Sequence, residues 1–260
     1  PGTMKNLQTD SNFGLASKSE KSRKDALALY KKALLAVKKL NNHLGKEAVF
    51  AVHITSSPSN TMNNVTGSVD SFLESLLEIA SWDWCGARIV MEHCDAYSEK
   101  FKPQKGFLPL EDEIDSVSRA NEKTNINVGI TINWARSVIE KRNVLGAVEH
   151  ISEVAQSCML SGIMFSGVTD IKDHKYGQWE DTHMPPARAF DVEYYEDGSL
   201  MTVENIEASL MACDMKTLDY IGIKLQAIPK DALIVRRIGI NRDAMKILDI
   251  VTSRVHDANV

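Results

Sequence analysis

Apolar residues follow two spacings along the chain, and the two spacings alternate. Short apolar runs rich in β-branched residues predict five strands, at 48–55, 87–92, 127–133, 162–167 and 220–226. Apolar residues three and four apart predict helices at 20–43, 68–82, 108–121, 144–158, 203–213 and 241–255. Strands that are apolar throughout and separated by helices are typical of parallel βα units. The sequence therefore predicts an α/β fold.

Polar side chains stand where four of the predicted strands end. These residues are Glu92, Asn133, Ser166 and Lys224. No G-x-G-x-x-G follows a strand and no G-x-x-x-x-G-K-[ST] occurs, so the two common nucleotide-binding versions of a doubly wound sheet lose support. In a parallel barrel the carboxyl ends of the strands converge on one face, where active sites lie. The four residues are therefore candidates for a single site.

Length and composition indicate a globular protein, either one barrel-sized α/β domain over residues 1–260 or two small domains, and they exclude some classes of partner. The chain has 260 residues, 43% of them hydrophobic, and a formal net charge of -5, so nothing draws it to nucleic acid or to an anionic membrane. No apolar run spans a bilayer, and no signal peptide is visible. Four cysteines without a C-x-x-C pair fit reduced thiols. We expect a cytoplasmic protein with a small-molecule substrate; whether it forms a homo-oligomer stays open.

A series of segments resembles, in order, the signatures of a known family. The segments are NFGLAS, WDWCGARIVMEHCDA, KGFLPLEDEI, INWARSVIE, GIMFSGV, YGQWEDTHMPP, SLMT and YIGIKL. On them the chain is identified as a member of a domain-of-unknown-function family that resembles the xylose isomerase-like TIM barrels. The resemblance covers essentially the whole chain and implies a (β/α)8 barrel whose strands four to eight lie here, with the N-terminal βα units missing. It carries no established reaction.

The same resemblance implies where a metal would be expected. In the wider superfamily, sugar isomerases and epimerases hold a divalent ion through acidic residues and a histidine at the ends of strands five to eight. Glu92 matches such a carboxylate, whereas Asn133, Ser166 and Lys224 depart from the pattern. A divalent ion needs several anionic or imidazole ligands, and an ammonium group among them repels it. A divalent-metal cofactor is therefore disfavoured, and no other cofactor is expected.

Glu92 and Lys224 suggest a catalytic pair that works without a metal. Lys224 would polarise a carbonyl or hydroxyl of the substrate, and Glu92 would be the general base. The alternative is an ion pair that only satisfies the barrel mouth. Because side chains alternate along a strand, His93 would face away from Glu92, and Asp95 in the following loop is its better companion.

The polar stretch 168–199 after the fourth strand is the second candidate region. We interpret it as a lid in which Trp179 offers a flat face to a sugar ring, Asp181 contacts the substrate and His183 donates or accepts a proton. The alternative, which the sequence favours equally, is a surface loop without a role in binding that two prolines hold in place. Arg136 either clamps an anionic group or makes a salt bridge at a helix terminus.

These residues lead to an expected function. We expect a sugar isomerase- or epimerase-like enzyme that acts on a small polyhydroxylated or sugar-acid substrate by proton abstraction beside a carbonyl, without a metal. Asn133 and Ser166 would contact the substrate. Two alternatives stay open: a lyase that forms a Schiff base at Lys224, and a ligand-binding barrel that has lost catalysis together with its metal ligands.

Overall fold

The computed structural model describes residues 2–258, with side chains up to residue 257. Its five strands are β1 (Ala51–Ile54), β2 (Arg88–His93), β3 (Gly129–Asn133), β4 (Leu160–Phe165) and β5 (Tyr220–Ile223). Its α-helices are α1 (Gly2–Leu7), α2 (Glu20–Leu44), α3 (Val69–Ala80), α4 (Leu110–Lys123), α5 (Trp134–Lys141), α6 (Leu145–Gln156), α7 (Val203–Leu210) and α8 (Ile234–Ala258). The chain forms two compact units, the first ending at Ile130 and the second beginning at Thr131.

In the first unit, helices accompany a parallel strand pair. β1 and β2 pair in parallel, with Ile54 opposite Met91, and both of these residues are fully buried. Helices α3 and α4 pack against each other through apolar faces that the 3.6-residue period places on one side. Ser68 caps the N-terminus of α3, since its Oγ accepts the Ser71 N–H at 3.2 Å. The α/β class and the parallel pairing thus hold here.

The second unit repeats the arrangement with a tighter strand contact. β4 and β5 pair in parallel, with Gly162 opposite Tyr220. A Cβ atom at Gly162 would lie 2.5 Å from the Tyr220 ring, so only glycine lets the ring cross β4 at this point. The Tyr220 hydroxyl then hydrogen-bonds Thr131 of β3. The three strands are therefore tied together on one face of the unit.

Three helices differ from the sequence prediction, and the first of them, α1, lies in a segment for which no element was predicted. Helix α5 was not predicted, because it begins at Trp134, directly after β3, and the apolar run of the strand continues into it without a turn. Helix α8 begins at Ile234, seven residues before its predicted start at 241. Gly239 interrupts the pattern there, and Ile234 and Ile238 are exposed.

Among residues 2–258, no helix combines the length and apolar character that crossing a membrane requires.

Residues 166–202, called the long loop from here on, are irregular but anchored. Isolated bridges join Gly167 to Met184 and Thr169 to Gln178. Tyr176 is buried; its hydroxyl donates to the Gln226 carbonyl at 3.0 Å and accepts the Ile228 N–H at 3.1 Å. Burial, helped by the negative charge of Glu196, raises the pKa of Tyr176 to about 12. The phenol therefore stays protonated and keeps donating at any ordinary pH.

Candidate functional site

Three of the predicted strand-end residues share one face of the second unit. In the parallel register Gly162 lies opposite Tyr220, so alternation places Ser166 and Lys224, four residues further along each strand, on the same side. Ser166 Oγ donates to Asn133 Oδ1 at 3.2 Å, which adds Asn133 to this side. The Lys224 N–H donates to the Phe165 carbonyl at 2.9 Å and continues the pairing beyond β5. The polar strand ends thus converge within this unit, as alternation predicts.

The donor set on that face suits polar or anionic ligand groups. Asn133 and Ser166 are fully buried, while Lys224 is half-buried. Lys224 directly follows β5, which ends at Ile223 and is itself half-buried along its length. An amide, a hydroxyl and an ammonium group supply no anionic ligand. The three residues therefore do not fit a divalent ion.

Arg136 and Asp181 form a buried ion pair. Arg136 lies in the first turn of α5, and Asp181 comes from the long loop. Arg136 Nη2 is 2.5 Å from Asp181 Oδ2, and each side chain is 6% exposed. Of the two roles predicted for Arg136, the salt bridge is present, although its partner is a loop carboxylate. The pair fixes the loop to the helix.

His183 lies beside this ion pair. Its Nδ1 atom is 3.2 Å from Asp181 Oδ1, and its side chain is 20% exposed. The Gln226 N–H donates to the His183 carbonyl at 2.8 Å. The backbone φ of His183 is 55°, a left-handed conformation that is uncommon for residues other than glycine and that clusters at functional sites. An imidazole held next to a buried carboxylate can transfer protons.

Trp179 is fixed at three points in the same loop. Its N–H donates to the Thr169 carbonyl at 2.8 Å, and its carbonyl accepts from Arg142 Nη1 at 3.3 Å. The Arg142 guanidinium also lies over the indole ring, with Cζ 5.3 Å from the ring centroid. Trp179 itself is half-buried and has a φ of 56°. Sequence reasoning named Trp179 but missed Arg142, whose position at the end of α5 was hidden with that helix.

In the first unit, Glu92 lies next to a histidine. Glu92 Oε2 is 3.6 Å from His53 Nδ1, and their side chains are 10% and 30% exposed. The register places His53 opposite Val90, so alternation puts His53 and Glu92 on one face. His53 is half-buried and is therefore a neighbour of Glu92 on this face and not a core residue.

His93 and Asp95, which follow Glu92 in sequence, make their contacts away from Glu92. His93 is fully buried, and its Nδ1 is 2.6 Å from Glu113 Oε2 on α4, which confirms that it faces the helices. Asp95 is also fully buried; its Oδ2 accepts the N–H groups of Gln104 at 2.6 Å and Lys105 at 2.8 Å. Asp95 thus closes its own loop, a role that sequence reasoning did not assign to it.

Comparison with solved structures finds a similar fold in a sugar epimerase. The chain is similar to a crystal structure of D-psicose 3-epimerase determined in the presence of D-fructose, with a TM-score of 0.52 over 93% of this chain and 74% of that one. Sequence identity to it is 11%, so the likeness is one of fold alone.

The particular family follows from sequence. The chain belongs to the family described as domain of unknown function DUF4862, whose model matches residues 1–240. It is also 35% identical over 253 residues to the uncharacterized protein STM3670 of Salmonella typhimurium strain LT2, a match that covers 97% of this chain and 76% of that protein. The family predicted from the ordered motifs is confirmed.

Proposed function

We propose that the protein is a sugar isomerase- or epimerase-like enzyme that transfers a proton beside the carbonyl of a small polyhydroxylated or sugar-acid substrate. The observation that carries the proposal is the arrangement of His183, with Nδ1 3.2 Å from Asp181, and Asp181 paired with Arg136 at 2.5 Å. The fold, shared with a protein named as a sugar epimerase, supports the reaction class by analogy only.

His183 is the proton-transfer group of this proposal. The unperturbed pKa of histidine lies near neutrality, where an imidazole can both accept and donate a proton. Asp181 is proposed as a positioning residue. His183 Nδ1 makes no hydrogen bond in the structure, but it lies 3.2 Å from Asp181 Oδ1, and a small rotation of the ring in the substrate complex would let the carboxylate accept the Nδ1–H and leave Nε2 for the substrate. Arg136 holds Asp181 in place and favours its ionised form. This arrangement supports the proposal that His183 acts as the acid and the base.

The strand-end face of the same unit supplies the polar contacts. Asn133, Ser166 and Lys224 would hydrogen-bond substrate hydroxyl and carbonyl oxygens, and the ammonium group would stabilise the negative charge that develops on a carbonyl oxygen when the adjacent proton leaves. Because their donor set does not fit a divalent ion, we propose that the reaction is metal-independent. Glu92, which lies in the first unit, is the general base that the sequence predicted, and its role is tested separately by its own variant.

The test measures proton exchange. Purified protein in deuterium oxide is incubated with ketoses, aldoses and sugar acids, and incorporation of deuterium beside the carbonyl is followed by NMR. The variant His183→Asn removes the titratable group, yet asparagine tolerates the left-handed backbone. We expect the exchange rate to fall by about 10²- to 10⁴-fold. Dialysis against EDTA should leave the rate of the parent protein unchanged.

Two further variants control this experiment. His174→Asn removes another histidine of the long loop, whose ring stacks on Tyr176, and it should leave the exchange rate within about twofold of the parent. Glu92→Gln tests, in the same exchange assay and separately from His183, whether Glu92 is a general base. A His183→Asn protein that exchanges at the parental rate would remove His183 from the mechanism, and a rate abolished by EDTA would make the enzyme metal-dependent.

A further inference from the structure

The indole ring of Trp179 is in contact with the guanidinium group of an arginine. Arg142 lies over the ring at 5.3 Å and also donates to the Trp179 carbonyl. Arginine stacks on aromatic faces because its planar guanidinium is weakly hydrated and is attracted by the electron-rich ring. Two contacts from one residue thus hold both the ring and the backbone of Trp179.

The backbone around Trp179 is fixed as well. Its N–H is bonded to the Thr169 carbonyl, and its φ of 56° places a bulky side chain in the left-handed region. A non-glycine residue keeps such a conformation only where its surroundings enforce it. Arg142 has a φ of 51° too, and its own N–H is bonded to the Val138 carbonyl at the end of α5. The two residues form a rigid pair.

A rigid, half-buried aromatic ring next to hydrogen-bonding groups is suited to a carbohydrate ring. A closed sugar presents C–H groups on one face and hydroxyl groups at its edge, so it can stack on indole while its hydroxyls find polar partners. Asp181 and His183 follow Trp179 by two and four residues in the same loop. Because the ring is already fixed, binding would lose little conformational entropy.

We propose that Trp179 is the stacking platform for the closed ring of a carbohydrate, and that Arg142 is the positioning residue that fixes this platform. The inference deepens the proposed function, on which it rests, by naming the substrate form that binds first. It assigns Arg142 a role through Trp179 and no contact with the substrate.

The experiment is a binding titration that needs no turnover. The indole N–H signals of the four tryptophans are recorded by NMR while D-fructose, D-xylose or D-glucuronate is added, and Trp179→Phe identifies the signal of Trp179. We expect a saturable shift of that signal with at least one of these sugars. The open-chain polyol D-mannitol should give a much weaker response because it has no rigid face.

The variants separate stacking from positioning. Isothermal titration calorimetry measures the affinities of the variants, because the Trp179 signal is lost when Trp179 is replaced. Trp179→Ala should weaken sugar binding about tenfold, and Trp179→Phe, which keeps a ring, about threefold. Arg142→Lys keeps the charge but not the planar stack, and should weaken binding about threefold while shifting the Trp179 signal before any sugar is added. The matched control is Trp82→Phe, because Trp82 also carries a cation over its ring, Lys31 Nζ at 4.3 Å, and its loss should leave affinity unchanged.

The outcomes are distinct from those of the exchange assay. If none of the three sugars shifts the Trp179 signal, or if Trp179→Ala binds sugar as tightly as the parent, the platform is refuted whatever the exchange assay shows. If Trp179 responds to sugar but no substrate exchanges a proton, the platform stands and the isomerase proposal falls. Should Trp179→Ala lose its circular dichroism spectrum, Trp179→Phe and Arg142→Lys decide the question.

Discussion

Asp95 and Asp181 are both buried carboxylates in loops that follow strands, yet their partners differ. Asp95 in the first unit accepts two backbone N–H groups, from Gln104 and Lys105. Asp181 in the second unit is paired with the guanidinium of Arg136 and lies beside an imidazole. Neutral backbone donors need an acceptor, whereas a buried guanidinium needs a charge. The two carboxylates therefore differ in what they stabilise: Asp95 holds the backbone of its loop, and Asp181 balances a buried guanidinium.

The largest expected effect is that of Asp181→Asn. The substitution keeps the shape but removes the charge that faces the buried Arg136, and breaking such a pair costs about 3–5 kcal/mol. Urea unfolding measures the loss. The control is Asp191→Asn, since Asp191 pairs with Lys246 at an exposed position and its loss should cost about 1 kcal/mol or less. Equal costs for the two variants would contradict a special role for the buried pair.

Asp95 should respond differently to the same change. Asp95→Asn keeps an oxygen that can accept both N–H groups, so we expect a cost of about 1 kcal/mol, whereas Asp95→Ala leaves both donors without that acceptor and should cost about 3 kcal/mol. Unfolding midpoints of the two variants measure the difference. If Asn at position 95 proved as costly as Ala, the charge of Asp95 would matter and the contrast with Asp181 would weaken.

A third buried carboxylate, Asp243 on α8, can be tested through the pH dependence of protein stability. Burial opposes its ionisation, but hydrogen bonds from Arg242 and from the N–H groups of Tyr194 and Glu193 outweigh burial, so the pKa of Asp243 lies below its ordinary value of 3.8. A lowered pKa in the folded state stabilises the protein above about pH 3.8, and that contribution is lost as the pH falls through the folded-state value.

Asp243→Asn should therefore flatten the acid side of the stability curve. Urea midpoints at pH 5 and pH 3 give the measurement, and the expected change is smaller than those for Asp181 and Asp95. Asp249→Asn, an exposed position on the same helix, serves as the control. A variant that loses stability between these pH values as steeply as the parent would show that Asp243 does not contribute in this way.

The strands and most helices could be predicted because the spacing of apolar residues and the composition of a segment can be read from that segment alone. The alternation that separated Glu92 from His93 also predicted their faces correctly. Partners were harder to predict: nothing in the sequence shows that Asp95 meets Gln104 or that Arg142 meets Trp179, because such contacts depend on how a loop returns to the fold. The signature motifs identified the family, whereas the pairing of Asp181 with Arg136 became visible only in the structure.

The direct passage from β3 into α5 has a consequence for how the candidate site opens. Asn133 ends the strand and Trp134 begins the helix, so Arg136 belongs to the regular framework, while Asp181 belongs to an irregular segment. Local fluctuations that separate the two need only the loop to depart, whereas displacing the arginine would require the helix to unfold. Hydrogen exchange should accordingly be faster around Asp181 than in α5, and substrate entry would be governed by the mobility of a single partner.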